Sequence, residues 1–204
     1  MRQTVRFIFV SLEDLINNFI LRFEKFNQLK PFLFILTMFA GTVSTAQNLM
    51  QPKKETVDAL QKIAFLTGNW KGSGYIQMGP QKHSFNESET ITLKLNGTII
   101  QIEGEGKDQQ NPELTIHQAF AIISYNIQNA KYVMKAFRGD GEQVDADTKL
   151  IAENSFQWSF SNPMAGQIKF TITVSGKIWT EIGEISRDDG KNWNKYFEMT
   201  LIKQ

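Results

Sequence analysis

The feature that most constrains this chain is an alternation of apolar and polar residues with a period of two, repeated in short segments between turn residues. Period-two alternation is the signature of a half-buried β-strand. Pro80, Pro112 and Pro163 all fall between these segments, where a missing N–H costs the sheet no hydrogen bond. The pattern predicts strands over residues 70–77, 85–95, 98–104, 114–126, 131–138, 143–152, 156–161, 167–174, 177–186 and 193–203.

Consecutive strands with short connections leave a sandwich or a barrel as the possible all-β folds. We favour a single antiparallel up-and-down barrel of about 8–10 strands, because closure removes exposed sheet edges. One short helix is predicted over Glu55–Leu66, where Val57, Leu60 and Ile63 recur at helical spacing. The barrel domain is therefore expected over 55–204, after a polar linker over 47–54. Asn96-Gly97 predicts a two-residue type I′ hairpin.

Residues 1–46 differ from the rest and are predicted to be a leader with a signal peptide. Lys25 and Lys30 precede an apolar run over 31–40, and small residues lead to Ala46-Gln47, where cleavage is expected. The run is shorter than the roughly 20 residues that span a bilayer, so we expect no stable membrane span after cleavage, and a periplasmic or secreted protein. A retained anchor is the alternative. Residues 1–30 are longer than a signal requires, which suggests a start site placed too far upstream or a membrane-surface helix.

Composition excludes several classes of function. The 22 basic and 21 acidic residues nearly cancel, so no basic field is available for nucleic acid. The absence of cysteine excludes disulfides, thiolate metal sites and a cysteine nucleophile. The oligomeric state is left open by the sequence.

Two stretches resemble a known superfamily. The segment from Leu66 to Gly74 contains Gly68-Asn69-Trp70 and resembles the start of lipocalin-like (calycin-type) barrels, in which a Gly-x-Trp opens the first strand and the indole closes one end. The stretch 179–184 followed by 197–201 is similar to secreted bacterial lipocalin-like domains of unknown function. The resemblance implies a barrel that holds a small hydrophobic or amphipathic ligand in its lumen.

A ferric-haem barrel of the nitrobindin type is similar in outline, with a Gly-x-Trp-x-Gly start and ten strands. Its axial histidine lies near the C-terminus, whereas this chain has no histidine after His117. We therefore expect no cofactor, with haem as the remaining alternative. No metal site is expected either, because His83 and His117 are the only histidines and neither has a partner by pattern.

The expected ligand contacts are the aromatic and polar side chains of the central strands. Arg138 shares a strand face with Tyr132 and Met134, and could hold a ligand carboxylate or form a salt bridge at the strand end. The predicted ligand-binding residues are Trp70, Tyr125, Tyr132, Met134, Arg138, Trp158 and Trp179.

Two other functions compete with ligand binding. An enzyme could use the acids Glu181 and Glu184, or His117, on an enclosed substrate. A barrel packed through its centre could instead act by its outer surface as an envelope component. No catalytic residue is assigned. Ser186 to Trp193 resembles the Asp-box hairpin and is expected to be a structural turn without calcium.

Overall fold

The computed structural model describes residues 51–204, which include the compact unit Pro52–Gln204. The predicted leader and the first half of the linker, residues 47–50, lie outside the described residues. A helix α1 (Lys54–Lys62) and a 3₁₀ turn (Ala64–Leu66) precede ten strands. These are β1 (Gly68–Met78), β2 (Gln81–Lys94), β3 (Ile99–Asp108), β4 (Thr115–Asn126), β5 (Lys131–Arg138), β6 (Gln143–Ala152), β7 (Ser155–Asn162), β8 (Gly166–Ser175), β9 (Ile178–Ser186) and β10 (Asn194–Lys203).

Every strand pairs antiparallel with its sequence neighbours, and β1 also pairs with β10, so the sheet closes on itself. Trp70 of β1 lies opposite Lys203 on one side and Glu89 on the other. The predicted all-β up-and-down barrel is confirmed, together with the predicted short helix before its first strand. Among the described residues no helix has the length and apolar character that crossing a membrane would require.

The loop between β2 and β3 is longer than the predicted two-residue type I′ hairpin, although Asn96 and Gly97 take the positive φ values of that turn. The last pair of this hairpin is Lys94 with Ile99, so four residues form the loop instead of two. Leu95, Asn96 and Gly97 all have positive φ, at 47°, 58° and 85°. The Thr98 hydroxyl donates a 2.8 Å hydrogen bond to the Leu95 carbonyl, which favours the longer turn.

The helix and the 3₁₀ turn close one end of the barrel. Leu60, Ile63 and Leu66 are fully buried there. The Tyr132 hydroxyl donates a 2.8 Å hydrogen bond to the Ala59 carbonyl and so joins the helix to β5. This closed end contains most of the apolar core, and the opposite end carries the β1–β2, β3–β4, β5–β6, β7–β8 and β9–β10 turns.

Candidate functional site

Two glutamates point into the barrel from the middle of β2. Side chains alternate between the two faces of a strand, so Phe85, Glu87, Glu89 and Ile91 share the inner face. All four are buried, and Glu87 and Glu89 keep only 4% and 8% of their surface exposed. Carboxyl groups therefore interrupt an otherwise apolar row.

A third carboxyl group enters the lumen from β9. Glu181 is buried and accepts a hydrogen bond from the indole N–H of Trp158 at 3.4 Å and another from Trp179 at 3.3 Å. Glu181 thus joins two tryptophans that lie on different strands. We call Glu87, Glu89 and Glu181 the carboxyl cluster.

Two glycines of β3 make room for the β2 carboxyl groups. Gly104 lies opposite Glu89, and Gly106 lies opposite Glu87. A Cβ atom on Gly104 would come within 2.7 Å of Glu89 Oε1, and one on Gly106 within 2.6 Å of Glu87 Oε2. The carboxylates therefore lie directly over the β3 backbone, in space that any larger residue would occupy.

His117 completes this region from β4. It pairs with Gly106 across the sheet, so Glu87 and His117 flank the same glycine from neighbouring strands. One ligating atom each of Glu87, Glu89 and His117 lies within 4.8 Å of the others. More than a third of the surface of His117 is exposed, whereas the two glutamates are enclosed. The group therefore extends from the buried lumen to water.

Burial sets the protonation of this region. It raises the pKa of Glu87 to about 8, with the charges of Glu181 and Glu105 adding to the shift. Burial, together with the charges of Glu87 and Glu181, holds the pKa of Glu89 well above its usual value. Burial raises the pKa of Glu181 to about 7, against the opposing effect of its two indole hydrogen bonds. The atoms packed around His117, and the charge of Arg138, lower its pKa.

Two carboxylate oxygens of the cluster have no hydrogen-bond partner within residues 51–204. These are Glu87 Oε1 and Glu89 Oε2, both shielded from water. A buried polar atom without a partner costs about 1–3 kcal/mol, and more when it is charged. The lumen therefore contains acceptors that a bound group could satisfy.

Stacked aromatic rings form one wall of the lumen. The ring of Trp158 lies between Phe170 at 4.2 Å and Phe160 at 5.8 Å, nearly parallel to both. Phe197 continues the wall, at 5.5 Å from Phe170. Trp158 and Phe170 point inward but remain only partly buried, as does Ile102 on the far side. The inner positions of the strands facing this wall are small, at Ala119, Ala121, Ala136 and Ala146.

Most of the predicted ligand contacts lie at the closed end of the barrel, where Trp179 also donates its hydrogen bond to Glu181 of the carboxyl cluster. Trp70 is fully buried and packs edge-on against Trp179 at 5.4 Å between ring centres. Tyr125 and Tyr132 meet at 5.3 Å, and Met134 is 5% exposed. These five side chains fill the floor of the barrel. Of the predicted set, Trp158 points into the lumen, is only partly buried, and donates to Glu181.

Arg138 lies at the rim and not in the lumen. Although its strand position faces inward, the side chain is 62% exposed and pairs with Asp140 and, at 3.4 Å, with Glu142. β5 ends at this residue, so the guanidinium can turn to the carboxylates of the following loop. It also lines a cavity of about 470 Å³ together with the outward side chains of Glu103 and Phe120. The expectation that Arg138 holds a ligand carboxylate in the lumen is therefore not supported.

The proposed pairing of Glu181 with Glu184 is also wrong. Residues three apart on a strand point to opposite faces. Glu181 is buried inside, whereas Glu184 lies outside and forms a 2.9 Å ion pair with Lys169. The acids on which the charge of Glu181 acts are Glu87 and Glu89, whose pKa values it raises. Neither was among the site residues predicted from the sequence. The sequence does place both glutamates on the same face of β2 as the apolar residues Phe85 and Ile91, because side chains two residues apart on a strand share a face.

The turn after β9 has the predicted structural role. Asp188 accepts hydrogen bonds from the Ser186 hydroxyl and from the backbone N–H of Asn192, each at 2.8 Å. Gly190 takes a φ of 81°. The Trp193 indole donates a 3.0 Å hydrogen bond to the Gly190 carbonyl. The acidic residue therefore organises the turn itself.

Comparison with solved structures supports the fold. Rv2717c from M. tuberculosis superimposes with a TM-score of 0.54 at 10% identity, over 72% of this chain and 97% of that one. The S-type phycobiliprotein lyase CPES from Guillardia theta superimposes with a TM-score of 0.52 at 12% identity, over 75% of this chain and 98% of that one. Both are calycin-like ten-stranded barrels. No protein-family model and no curated protein sequence matches the chain. The chain therefore has a lipocalin-like barrel fold.

Proposed function

We propose that this protein binds a small amphipathic ligand in the barrel lumen. The apolar part of the ligand would lie against Trp158, Phe170 and Ile102, and its polar end would reach the carboxyl cluster. The observation that carries the proposal is the combination of inward aromatic side chains that stay partly exposed with buried carboxylate oxygens that have no partner. Small-molecule sites commonly combine an apolar lining with a few orienting polar groups, and barrel mouths are among their usual locations.

The acids of the lumen select the polar end of the ligand. A pKa of about 8 leaves Glu87 mostly protonated near neutral pH, and a cation bound beside it would favour loss of that proton. Glu87, Glu89 and Glu181 offer only acceptors when ionised, and their mutual repulsion disfavours another anion. A ligand with an ammonium group or another hydrogen-bond donor would satisfy Glu87 Oε1 and Glu89 Oε2. This reverses the expectation from Arg138, which would have favoured a carboxylate. We infer a preference for cationic or donor-bearing amphiphiles over fatty acids.

Paired probes test this preference. Dodecylamine and dodecanoate have the same chain length and opposite charge, and their binding can be followed by intrinsic tryptophan fluorescence and by calorimetry, with EDTA present. We expect dodecylamine to bind at least tenfold more tightly. Equal affinity, or tighter binding of dodecanoate, would contradict the polar-end assignment.

A filled-lumen variant tests the location. Ala136→Trp places a large ring on the inner face of β5, opposite the aromatic wall, and should abolish dodecylamine binding. Val133→Trp is the matched control, because Val133 lies on the outer face of the same strand and is 43% exposed. Binding that survives Ala136→Trp would overturn the lumen as the site. Native mass spectrometry of the purified protein then identifies any ligand that remains bound.

A further inference from the structure

Glu87, Glu89 and His117 bring two carboxylates and one imidazole to a single point of the barrel. Their ligating atoms lie within 4.8 Å of one another. Around a tetrahedral zinc ion with ligands at about 2.1 Å, neighbouring ligand atoms are roughly 3.4 Å apart. The three groups thus need only small side-chain movements to surround one ion.

A second observation is that two buried oxygens of this group lack a hydrogen-bond partner. Glu87 is 4% and Glu89 is 8% exposed, and one carboxylate oxygen of each lacks a hydrogen-bond partner in the described chain. A buried carboxyl oxygen normally has a hydrogen-bond partner or binds a metal ion, and metal binding releases the proton of a neutral carboxyl group. Arg138, the cation at this end of β5, is instead engaged with Asp140 and Glu142 at the rim.

The backbone beneath the group is also shaped for it. Gly106 lies between Glu87 and His117 on the middle strand, and a Cβ atom there would come within 2.6 Å of Glu87 Oε2 and 3.0 Å of His117 Cβ. Gly104 leaves the same kind of space beneath Glu89. Three adjacent strands therefore cooperate, two by supplying ligands and one by omitting side chains.

We propose that Glu87, Glu89 and His117 form a binding site for one divalent transition-metal ion of the zinc type. A mixed set of carboxylates and imidazole suits zinc and its neighbours, whereas calcium takes six to eight oxygen ligands. Three protein ligands leave a coordination position open toward the lumen, as in sites where zinc contacts water or a substrate. Zinc and the ammonium group of an organic ligand would use the same carboxyl groups, so each would exclude the other, and zinc binding does not require the ligand. It also replaces the expectation, from the sequence, of no metal site.

Zinc titration of the full-length chain tests the proposal. The protein is purified with an affinity tag that contains no histidine, stripped with EDTA and dialysed, and then titrated with ZnCl₂ by calorimetry, with metal content checked by mass spectrometry. We expect one zinc per chain. Uptake of less than about a tenth of an equivalent would overturn the site.

Matched variants locate the ion. His117→Ala and Glu89→Gln should each weaken zinc binding at least tenfold, whereas His83→Ala removes the other histidine and should leave it unchanged. Because His117 is exposed at the rim, its substitution tests the site even if a buried glutamine variant fails to fold. Equal zinc affinity of His117→Ala and His83→Ala would refute the assignment.

Ala136→Trp should block dodecylamine binding and retain zinc binding, so failure of the lumen site and failure of the metal site give different results.

Discussion

The indole nitrogen of Trp70 donates a 2.8 Å hydrogen bond to the main-chain oxygen of Leu66. Trp70 opens the first strand, and Leu66 ends the 3₁₀ turn that closes the barrel. The bond therefore links the first strand to the segment that covers the floor. Both residues are fully buried, so water cannot replace the bond if it is lost.

Trp70→Phe should lower the free energy of unfolding by about 2–4 kcal/mol, because it leaves the Leu66 carbonyl unpaired and a cavity beside Trp179. Urea denaturation followed by circular dichroism measures this loss. Trp193→Phe is the control, since Trp193 is only half-buried in the β9–β10 turn. An equal or larger loss for Trp193→Phe would contradict the role given to Trp70.

The strand count could be predicted from local sequence, and the role of Trp70 from a family resemblance. Each strand shows its own period-two alternation, and turn residues mark its limits, so neighbouring strands need not be known. The position of Trp70 at the floor was implied by the resemblance of Gly68-Asn69-Trp70, after a short helix, to the start of lipocalin-like barrels. Asn96 and Gly97 take the positive φ values of the predicted turn, but Leu95 also has a positive φ of 47°, so the strand pairing stops at Lys94 and Ile99 and the loop is two residues longer than the Asn-Gly pair predicts.

The carboxyl cluster could be predicted only in part. The alternation of β2 places Glu87 and Glu89 on the same face as Phe85 and Ile91. Because buried acids are rare, the sequence does not decide whether that face points into the barrel or toward water. Their proximity to His117 depends on the registers of β2 with β3 and of β3 with β4, which no single strand encodes. Arg138 shows the reverse case. The inward-facing strand position of Arg138 was predicted correctly, but its side chain turns out of the lumen to pair with Asp140 and Glu142 of the following loop.

The carboxyl cluster should make the protein less stable as the pH rises. The folded-state pKa values of Glu181 and Glu87 are about 7 and about 8, above the usual 4.5. A carboxyl with a raised pKa binds its proton more tightly in the folded state, so stability falls as pH rises above 4.5 toward those values. His117, with its lowered pKa, has the opposite effect, mainly below pH 6.5.

In EDTA, the free energy of unfolding should therefore fall by roughly 2–4 kcal/mol between pH 6 and pH 9, since each pKa unit corresponds to about 1.4 kcal/mol. Glu181→Gln should reduce this slope. Glu184→Gln, on the outer face of the same strand, should leave it unchanged. Urea titrations at several pH values measure all three proteins. Stability that rises over this interval, or equal slopes for both variants, would show that the carboxyl groups are not enclosed as described.

The turn after β9 gives a pH dependence of the opposite sign. Hydrogen bonds from the Asn192 backbone and side chain, and from Ser186, lower the pKa of Asp188 to about 2. A carboxyl with a lowered pKa stabilises the fold above its unfolded value, near 3.8, and loses that effect as the pH falls toward 2. Asp188→Ala should therefore lower the melting temperature at pH 6, and the difference from the unsubstituted protein should narrow between pH 4 and pH 2. Lys191→Ala, in the same exposed turn, is the control and should change the melting temperature little at either pH. A difference for Asp188→Ala that persists at pH 2 would mean that the side chain acts by packing and not through its charged hydrogen bonds.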